Sequence, residues 1–149
     1  MPANIYPIFP KEPDVQIAGS VIGTSANTAT DGTGANSTLL FTADATNGSY
    51  VYKVILKPIS TVAATVARIF FCTATGSFTP GTTNTAANSA LIAEVAITAW
   101  TASNTAASPQ YEVPINMAIP ASMKLFITFG TSTGAGTTGF NPTTIGGKY

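Results

Sequence analysis

The sequence contains no histidine, a single cysteine and few charged residues. Histidine is the commonest general base near neutral pH and a frequent metal ligand, so its absence disfavours acid–base catalysis and a transition-metal centre. Cys72 has no partner for an internal disulfide, and nothing in the sequence demands an oxidising compartment. We therefore expect a protein that is not an enzyme and that needs no cofactor.

Charge is scarce and balanced, which limits the classes of partner. Charged residues are 8% of the chain, against about 25% in ordinary globular proteins. Six basic and six acidic residues give a formal net charge of zero, and the basic residues are scattered. Nucleic acids and anionic membranes bind clustered positive charge, so we expect neither as a partner.

Long apolar runs are also missing. No run approaches the roughly 18 residues of a membrane-spanning helix. The start of the chain, MPANIYPIFPKEPD, has no basic segment followed by an apolar one, so we do not expect a signal peptide. These features predict a chain made in a cytoplasm.

What the sequence does contain is β-structure. It has 25 threonines, whose branched Cβ suits a pleated strand. Several runs alternate between apolar and polar residues, as in antiparallel sheets buried on one face. In the run 50–59, for example, Tyr50, Tyr52, Val54 and Leu56 are predicted to share a face. The predicted strands are 15–22, 38–43, 50–59, 65–72, 90–98, 110–116, 123–129 and 139–148.

About eight short strands with polar connections predict an all-β fold, an antiparallel two-sheet sandwich of jelly-roll type. Asn47-Gly48 lies between two apolar runs, which predicts a β-hairpin. Residues 73–89, rich in Thr and Asn, have little to bury and predict an exposed loop.

The first 14 residues differ from the rest, because four prolines fix the backbone and remove donors. We predict an extended N-terminal arm over 1–14 and a β-sandwich domain over 15–149. The arm nevertheless carries apolar side chains at Ile5, Tyr6, Ile8 and Phe9. It packs either on its own domain or on a neighbouring subunit, and the sequence leaves both open.

Three patterns suggest chemistry, and each has a simpler interpretation. Residues 134–139 match GxGxxG, but no acidic residue follows within the sequence, so a flexible loop explains the glycines better than a nucleotide site. Glu94 and Glu112 have the alternation to be neighbours on adjacent strands, yet both also fit solubilising roles. Asp31 and Asp44 lie in turns, where capping is a commoner role than binding calcium.

Three further residues stand out in apolar surroundings. Cys72 ends the most apolar run and is predicted to be a small buried side chain. Arg68 lies within the same run and needs a partner such as Glu94 or Glu112, or a contact with another subunit. Trp100 follows Ile97 and opens a polar loop, so it is either an exposed contact residue or part of the core edge.

Several short segments carry a resemblance to a known family. They are NGS (47–49), ATVARIF (64–70), LIAE (91–94), TASNTA (101–106), VPINMAIPAS (113–122) and GGKY (146–149). In this order, over about residues 20–149, the chain resembles a family of small tailed-phage and prophage proteins, the capsid accessory proteins that decorate or reinforce phage heads. Ser122 stands where the family pattern has glycine.

The resemblance implies a virion protein made in the bacterial cytoplasm and placed on the capsid surface. Its expected partners are the major capsid protein and further copies of itself, as a homo-oligomer for which a trimer is one arrangement. The expected contact residues are Ile5, Tyr6, Ile8 and Phe9 of the arm, with Trp100 as a further candidate. The alternative is a receptor- or glycan-binding virion module that uses the 73–89 loop and Trp100.

Overall fold

The protein folds as a two-sheet antiparallel β-sandwich, which confirms the predicted fold class. The computed structural model describes residues 9–19, 21–134, 136 and 138–149. Within them there are eight strands and no helix, and each strand overlaps one of the predicted runs. The strands are β1 (Glu12–Ile17), β2 (Thr38–Thr42), β3 (Ser49–Leu56), β4 (Thr65–Cys72), β5 (Ser89–Ile97), β6 (Tyr111–Ile119), β7 (Lys124–Phe129) and β8 (Thr143–Lys148).

The strand order is that of a jelly roll. Sheet one has the order β1-β8-β3-β6 and sheet two has the order β2-β7-β4-β5. The first half of the chain pairs with the second half in nested antiparallel pairs, β1 with β8, β2 with β7, β3 with β6 and β4 with β5. Successive pairs alternate between the sheets, so the chain behaves as one long hairpin rolled into two layers.

Strand β1 begins at Glu12, so residues 12–14 belong to the sheet and not to the arm assigned from sequence. Pro13 is tolerated there because β1 is an edge strand, with one neighbour only. Polar side chains of β1 face the sandwich: Asp14 is buried, and Gln16 bonds both the carbonyl and the amide of Thr42 in β2. The apolar Val15 and Ile17 consequently point to solvent.

The core lies between the sheets and is built from side chains that are almost completely buried. Its largest members are Phe41, Val51, Val54, Leu56, Ile69, Ile119, Leu125, Ile127 and Phe140. Burial of each such side chain favours folding by about 1.5–3 kcal/mol. Strand β7 is buried at all six positions, so its outer face must also be covered.

Part of the connection between β4 and β5 supplies that cover. Phe78 packs against Phe126 with ring centroids 5.5 Å apart, and Phe126 stacks on Phe70 at 4.9 Å. These rings, with Cys72, form a second small core on the outer face of sheet two. The prediction that residues 73–89 have little to bury is therefore wrong, although many residues of the loop are exposed.

Asn84 holds this loop in place. Its side chain is 1% exposed, its amide donates to the carbonyls of Gly32 and Gly34 at 2.6 and 3.1 Å, and its carbonyl accepts from the Gly81 amide at 2.7 Å. A buried polar group is stable only when its hydrogen bonds are made. Asn84 thus fastens the 73–88 loop to the 30–37 turn across the outside of sheet two.

The face assigned to Tyr50 and Tyr52 is wrong, because β3 contains a β-bulge. The pairing of β3 with β8 skips a residue between Val51 and Lys53. An extra residue reverses the alternation beyond it. Val51 lies inside before the bulge and Val54 and Leu56 lie inside after it, while Tyr50 and Tyr52 point outward.

The predicted hairpin at Asn47-Gly48 is also wrong. A turn is present, with a bond from the Gly48 amide to the Asp44 carbonyl and a Gly48 φ of 77°. The turn joins β2 to β3, however, and these strands belong to different sheets. The turn at Asn47-Gly48 therefore connects the two sheets.

Ser122, where glycine is the family pattern, has a φ of 63°, in the region that favours glycine.

Replacement of Asn84 by alanine should destabilise the protein strongly. The variant leaves the buried carbonyl of Gly32 and the amide of Gly81 without partners, which costs about 2–4 kcal/mol. Asn104→Ala, at an exposed position, is the matched control and should change the free energy of unfolding by less than about 0.5 kcal/mol. Urea denaturation followed by circular dichroism measures both. Equal stabilities of the two variants would show that the Asn84 bonds do not hold the loop.

Candidate docking surface

The predicted contact residues do not form one cluster. Ile5, Tyr6 and Ile8 lie outside the described residues. Phe9 is 79% exposed and lies beside the start of β3. Trp100 is half-buried against the core and pairs with Val62. This pair lies beyond the start of β4 and the end of β5, at the opposite end of the sandwich from Phe9. Phe9 and Trp100 therefore cannot belong to one small contact site.

Residues 9–11 pass from the edge of sheet one onto its outer face. The Lys11 amide bonds the Lys148 carbonyl at 2.7 Å, which extends the ladder between β1 and β8. Pro10 then lies directly on Gly147, where an added Cβ would approach the proline Cβ to 2.5 Å. The glycine is needed because the chain crosses β8 at this point with no room for a side chain.

A groove of about 270 Å³ lies where this crossing ends. Its walls are Phe9, Pro10, Tyr50, Tyr52 and Tyr149. The rings of Tyr50 and Tyr52 meet edge to face, with centroids 4.9 Å apart. Burial raises the pKa of Tyr149, with the nearby Tyr50 and Tyr52 adding to the effect. The tyrosine groove, as we call these five residues, is consequently lined by side chains that are neutral at neutral pH.

Beyond the groove, the outer face of sheet one exposes several apolar side chains. Val15 and Ile17 of β1 are 56% and 62% exposed. Val15 lies opposite Ile145, and Ile17 lies opposite Thr143, which in turn pairs with Ile55. The side chains of Ile55 and Ile145 are only half-buried. Exposed apolar side chains that are neighbours on one sheet face are typical of an interaction site.

The charges on this face neutralise each other. Lys53 Nζ lies 2.8 Å from Glu112 Oε2 across β3 and β6. Gln110 also donates to Glu112, at 2.8 Å. The bond from Lys53, and next the bond from Gln110, lower the pKa of Glu112. This pair therefore adds no net charge to the face.

The outer faces of the two sheets differ in how far other parts of the chain cover them. Sheet two is covered on the outside at β4 and β7 by the 73–88 loop, to which the 30–37 turn is bonded. Among the described residues, only 9–11 cover the outside of sheet one, and both of its edge strands carry a proline, Pro13 in β1 and Pro114 in β6. Proline on an edge discourages the addition of another strand. Sheet one is therefore suited to contacts through its face and not through its edges.

Glu94 and Glu112, the residues with possible catalytic roles, form separate ion pairs. Glu94 lies in sheet two and Glu112 in sheet one, so the idea that they are neighbours on adjacent strands is wrong. Glu94 instead bonds Arg68 at 2.8 Å, which confirms one of the two partners predicted for this arginine. The chain after Gly139 continues into β8 without a helix, unlike a dinucleotide-binding loop.

The remaining polar candidates have structural roles. Asp31 accepts bonds from the amide and hydroxyl of Thr33, and Asp44 accepts from the amides of Asn47 and Thr46, as predicted for turn caps. Cys72 is fully buried, as predicted. Among the described residues no group of three or more Cys, Asp or Glu is placed to hold a metal. The same part of the chain contains no helix capable of spanning a bilayer.

Sequence patterns do not predict the tyrosine groove as a site. The alternation places Tyr50 and Tyr52 on the face of Val54 and Leu56, because the bulge at Tyr52 is not visible in it. The one local signal is the pair Gly146-Gly147, since consecutive glycines in a strand often mark close approach of another backbone.

Substitution of Gly147 by alanine should displace Pro10 and open the groove. The added methyl group overlaps Pro10 and approaches the Glu12 carbonyl to 3.0 Å, so we expect a loss of about 1–3 kcal/mol in the free energy of unfolding. Gly76→Ala is the control, because no atom lies within 4 Å of a Cβ there. Thermal denaturation compares the two variants, and an unperturbed Gly147→Ala would contradict the crossing.

The ion pair on the face should be visible in a titration. Glu112 is expected to titrate below its ordinary value of 4.5, because Lys53 and Gln110 stabilise the carboxylate. A carboxyl whose folded pKa is lowered stabilises the fold above its unfolded pKa and loses that contribution as the pH falls through the folded pKa. Carbon NMR of the Glu112 carboxyl measures the shift. Lys53→Met should move the pKa upward, and an unchanged value would show that the pair does not form.

Comparison with known proteins does not assign a family. No family model, no curated protein and no solved structure matches this chain. The resemblance to capsid accessory proteins therefore depends on its sequence motifs, and a jelly roll by itself is compatible with many functions. The outer face of sheet one is the structural feature that bears most directly on function.

Proposed function

We propose that the chain is a structural protein of a tailed-phage particle, a decoration or cement protein that binds the outside of the head. Its partners are the major capsid protein and further copies of itself. The observation that carries the proposal is the outer face of sheet one, where the described residues leave apolar side chains exposed near the point at which residues 9–11 arrive, and where Lys53 and Glu112 form an ion pair. Such a face is suited to lasting attachment to another protein surface.

The mechanism is adhesion without chemistry. A protein that binds only the assembled lattice stabilises that lattice by mass action, by about 2.7 kcal/mol per site when its free concentration is one hundred times the dissociation constant. Repetition over a symmetric head multiplies this gain. An oligomer that engages several lattice positions at once binds with higher avidity than one copy alone.

The residues proposed for the contact are Ile5, Tyr6, Ile8 and Phe9. Phe9 is the one whose surroundings are described, and its exposed ring stands beside Tyr50 and Tyr52. The apolar surface of β1, with Val15 and Ile17, extends the same contact area. Trp100, predicted from sequence as a further contact, lies beyond the far ends of the strands and would serve a separate interface.

The glycan-binding alternative lacks a common site for its two components. The 73–88 loop folds over the outside of sheet two, whereas Trp100 packs against the core between the sheets. Strand β5, nine residues long, separates the end of the loop from Trp100, a distance of about 30 Å. A glycan array still decides the matter directly: reproducible sugar binding that is lost in Trp100→Ala would favour this alternative.

The attachment should depend on residues 1–8 and not on the sandwich alone. We expect a variant lacking residues 1–8 to keep its β-sheet spectrum and cooperative unfolding but to fail to bind heads that lack the protein. The deletion stops before Pro10, because residues 10–17 contact β8. A Gly/Ser segment of equal length in place of 1–8 is the control that separates side-chain contacts from chain length.

The measurement is the number of copies per purified head, obtained by quantitative mass spectrometry. The full chain should saturate the heads and raise the temperature at which they release DNA. Absence of the protein from particles of the strain that encodes it would refute the proposed function. Full binding by the truncated chain would refute the role of the arm alone.

A further inference from the structure

Phe9 forms one wall of the tyrosine groove, and most of its side chain is exposed to solvent. Phe9 lines the groove and is still 79% exposed. Pro10 beside it shows that the site accommodates a proline, because Pro10 packs on Gly147 and lines the groove next to its aromatic walls. Aromatic grooves of this kind bind extended proline-containing segments, since such segments lose little entropy on binding.

We propose that the tyrosine groove of one copy receives the N-terminal segment, residues 1–8, of a second copy of this chain. The inference rests on the proposed function, because such an exchange joins neighbouring copies on a lattice. It also names the partner of Ile5, Tyr6 and Ile8, whose apolar side chains match the uncharged aromatic walls.

The direction of the chain argues against the same copy. Going backwards along the chain, Pro10 lies on Gly147 of β8 and Phe9 lies beside Tyr50 and Tyr52 of β3. Only β6 remains before the edge of the sheet, and strands are about 4.8 Å apart. A segment that continues in this direction passes the edge within two residues.

The sequence disfavours a return to the groove. The dipeptides Tyr6-Pro7 and Phe9-Pro10 both favour extended backbone at the residue before the proline. Eight extended residues reach up to about 26 Å, which is well beyond the edge of a four-stranded sheet and far enough to meet a neighbouring molecule. Exchange of identical segments between copies is a common route to oligomers.

Chemical cross-linking between two differently tagged full-length variants tests the exchange. One carries Asn4→Cys in the segment. The other carries Thr46→Cys, at an exposed position in the depression next to Tyr149. A short bismaleimide should join the two tagged chains when they are mixed, in a yield that rises with protein concentration. The wild-type chain is the control for Cys72, which is buried.

Two further measurements tie the cross-link to the groove. Tyr52→Ser should lower the yield about fivefold, as loss of one aromatic contact implies. Leu91→Ser, at an exposed position of sheet two, should leave the yield unchanged. A synthetic peptide of residues 1–10 should compete, and the same peptide with serine at positions 5, 6 and 8 should not.

Two results would overturn the exchange. One is the absence of any link between the tagged chains. The other is a link found only within one chain when the double variant Asn4→Cys/Thr46→Cys is diluted with excess wild type. The proposed function is tested separately by copies per head. Heads that bind the protein without an inter-copy link refute the exchange alone, whereas linked copies that ignore heads refute the proposed function alone.

Discussion

The stacking of Phe126 between Phe70 and Phe78 is the interaction on which the exposed surface of this protein depends. It holds the 73–88 loop over the outside of sheet two, and the buried bonds of Asn84 fix that position. The outer faces of β4 and β7 are consequently covered by the chain itself, while Leu91 and Ile92 of β5 stay exposed. Among the described residues, less of the chain covers the outer face of sheet one, so the two sides of the molecule differ.

The architecture followed from local patterns in the sequence. Alternation and turn residues located all eight strands, and the number of strands led to the jelly roll. The errors arose where a residue's position depends on a distant partner. The bulge at Tyr52 is defined by its pairing with β8, and the turn at Asn47-Gly48 was assigned without knowing which sheet follows. Asn84 finds its acceptors about fifty residues away in sequence.

The candidate site was accessible from sequence only in part. Phe9 was identified because an apolar residue in a proline-rich segment has no obvious place in its own core. Tyr50 and Tyr52 were not identified, because the alternation of β3 places them on the face of Val54 and Leu56. The inward polar residues of β1 show the same limit, since Val15 and Ile17 fit a core pattern when read without knowledge of which face is inside.

The neutral ion pair between Lys53 and Glu112 has a physical consequence for any partner of this face. Contacts made by apolar burial are little affected by ionic strength, whereas contacts between opposite charges weaken as salt is added. The strength of apolar contacts depends more on temperature, because hydrophobic association weakens on cooling. A surface of this kind tolerates dilution into fresh water or brine, and cold would loosen it more readily than salt.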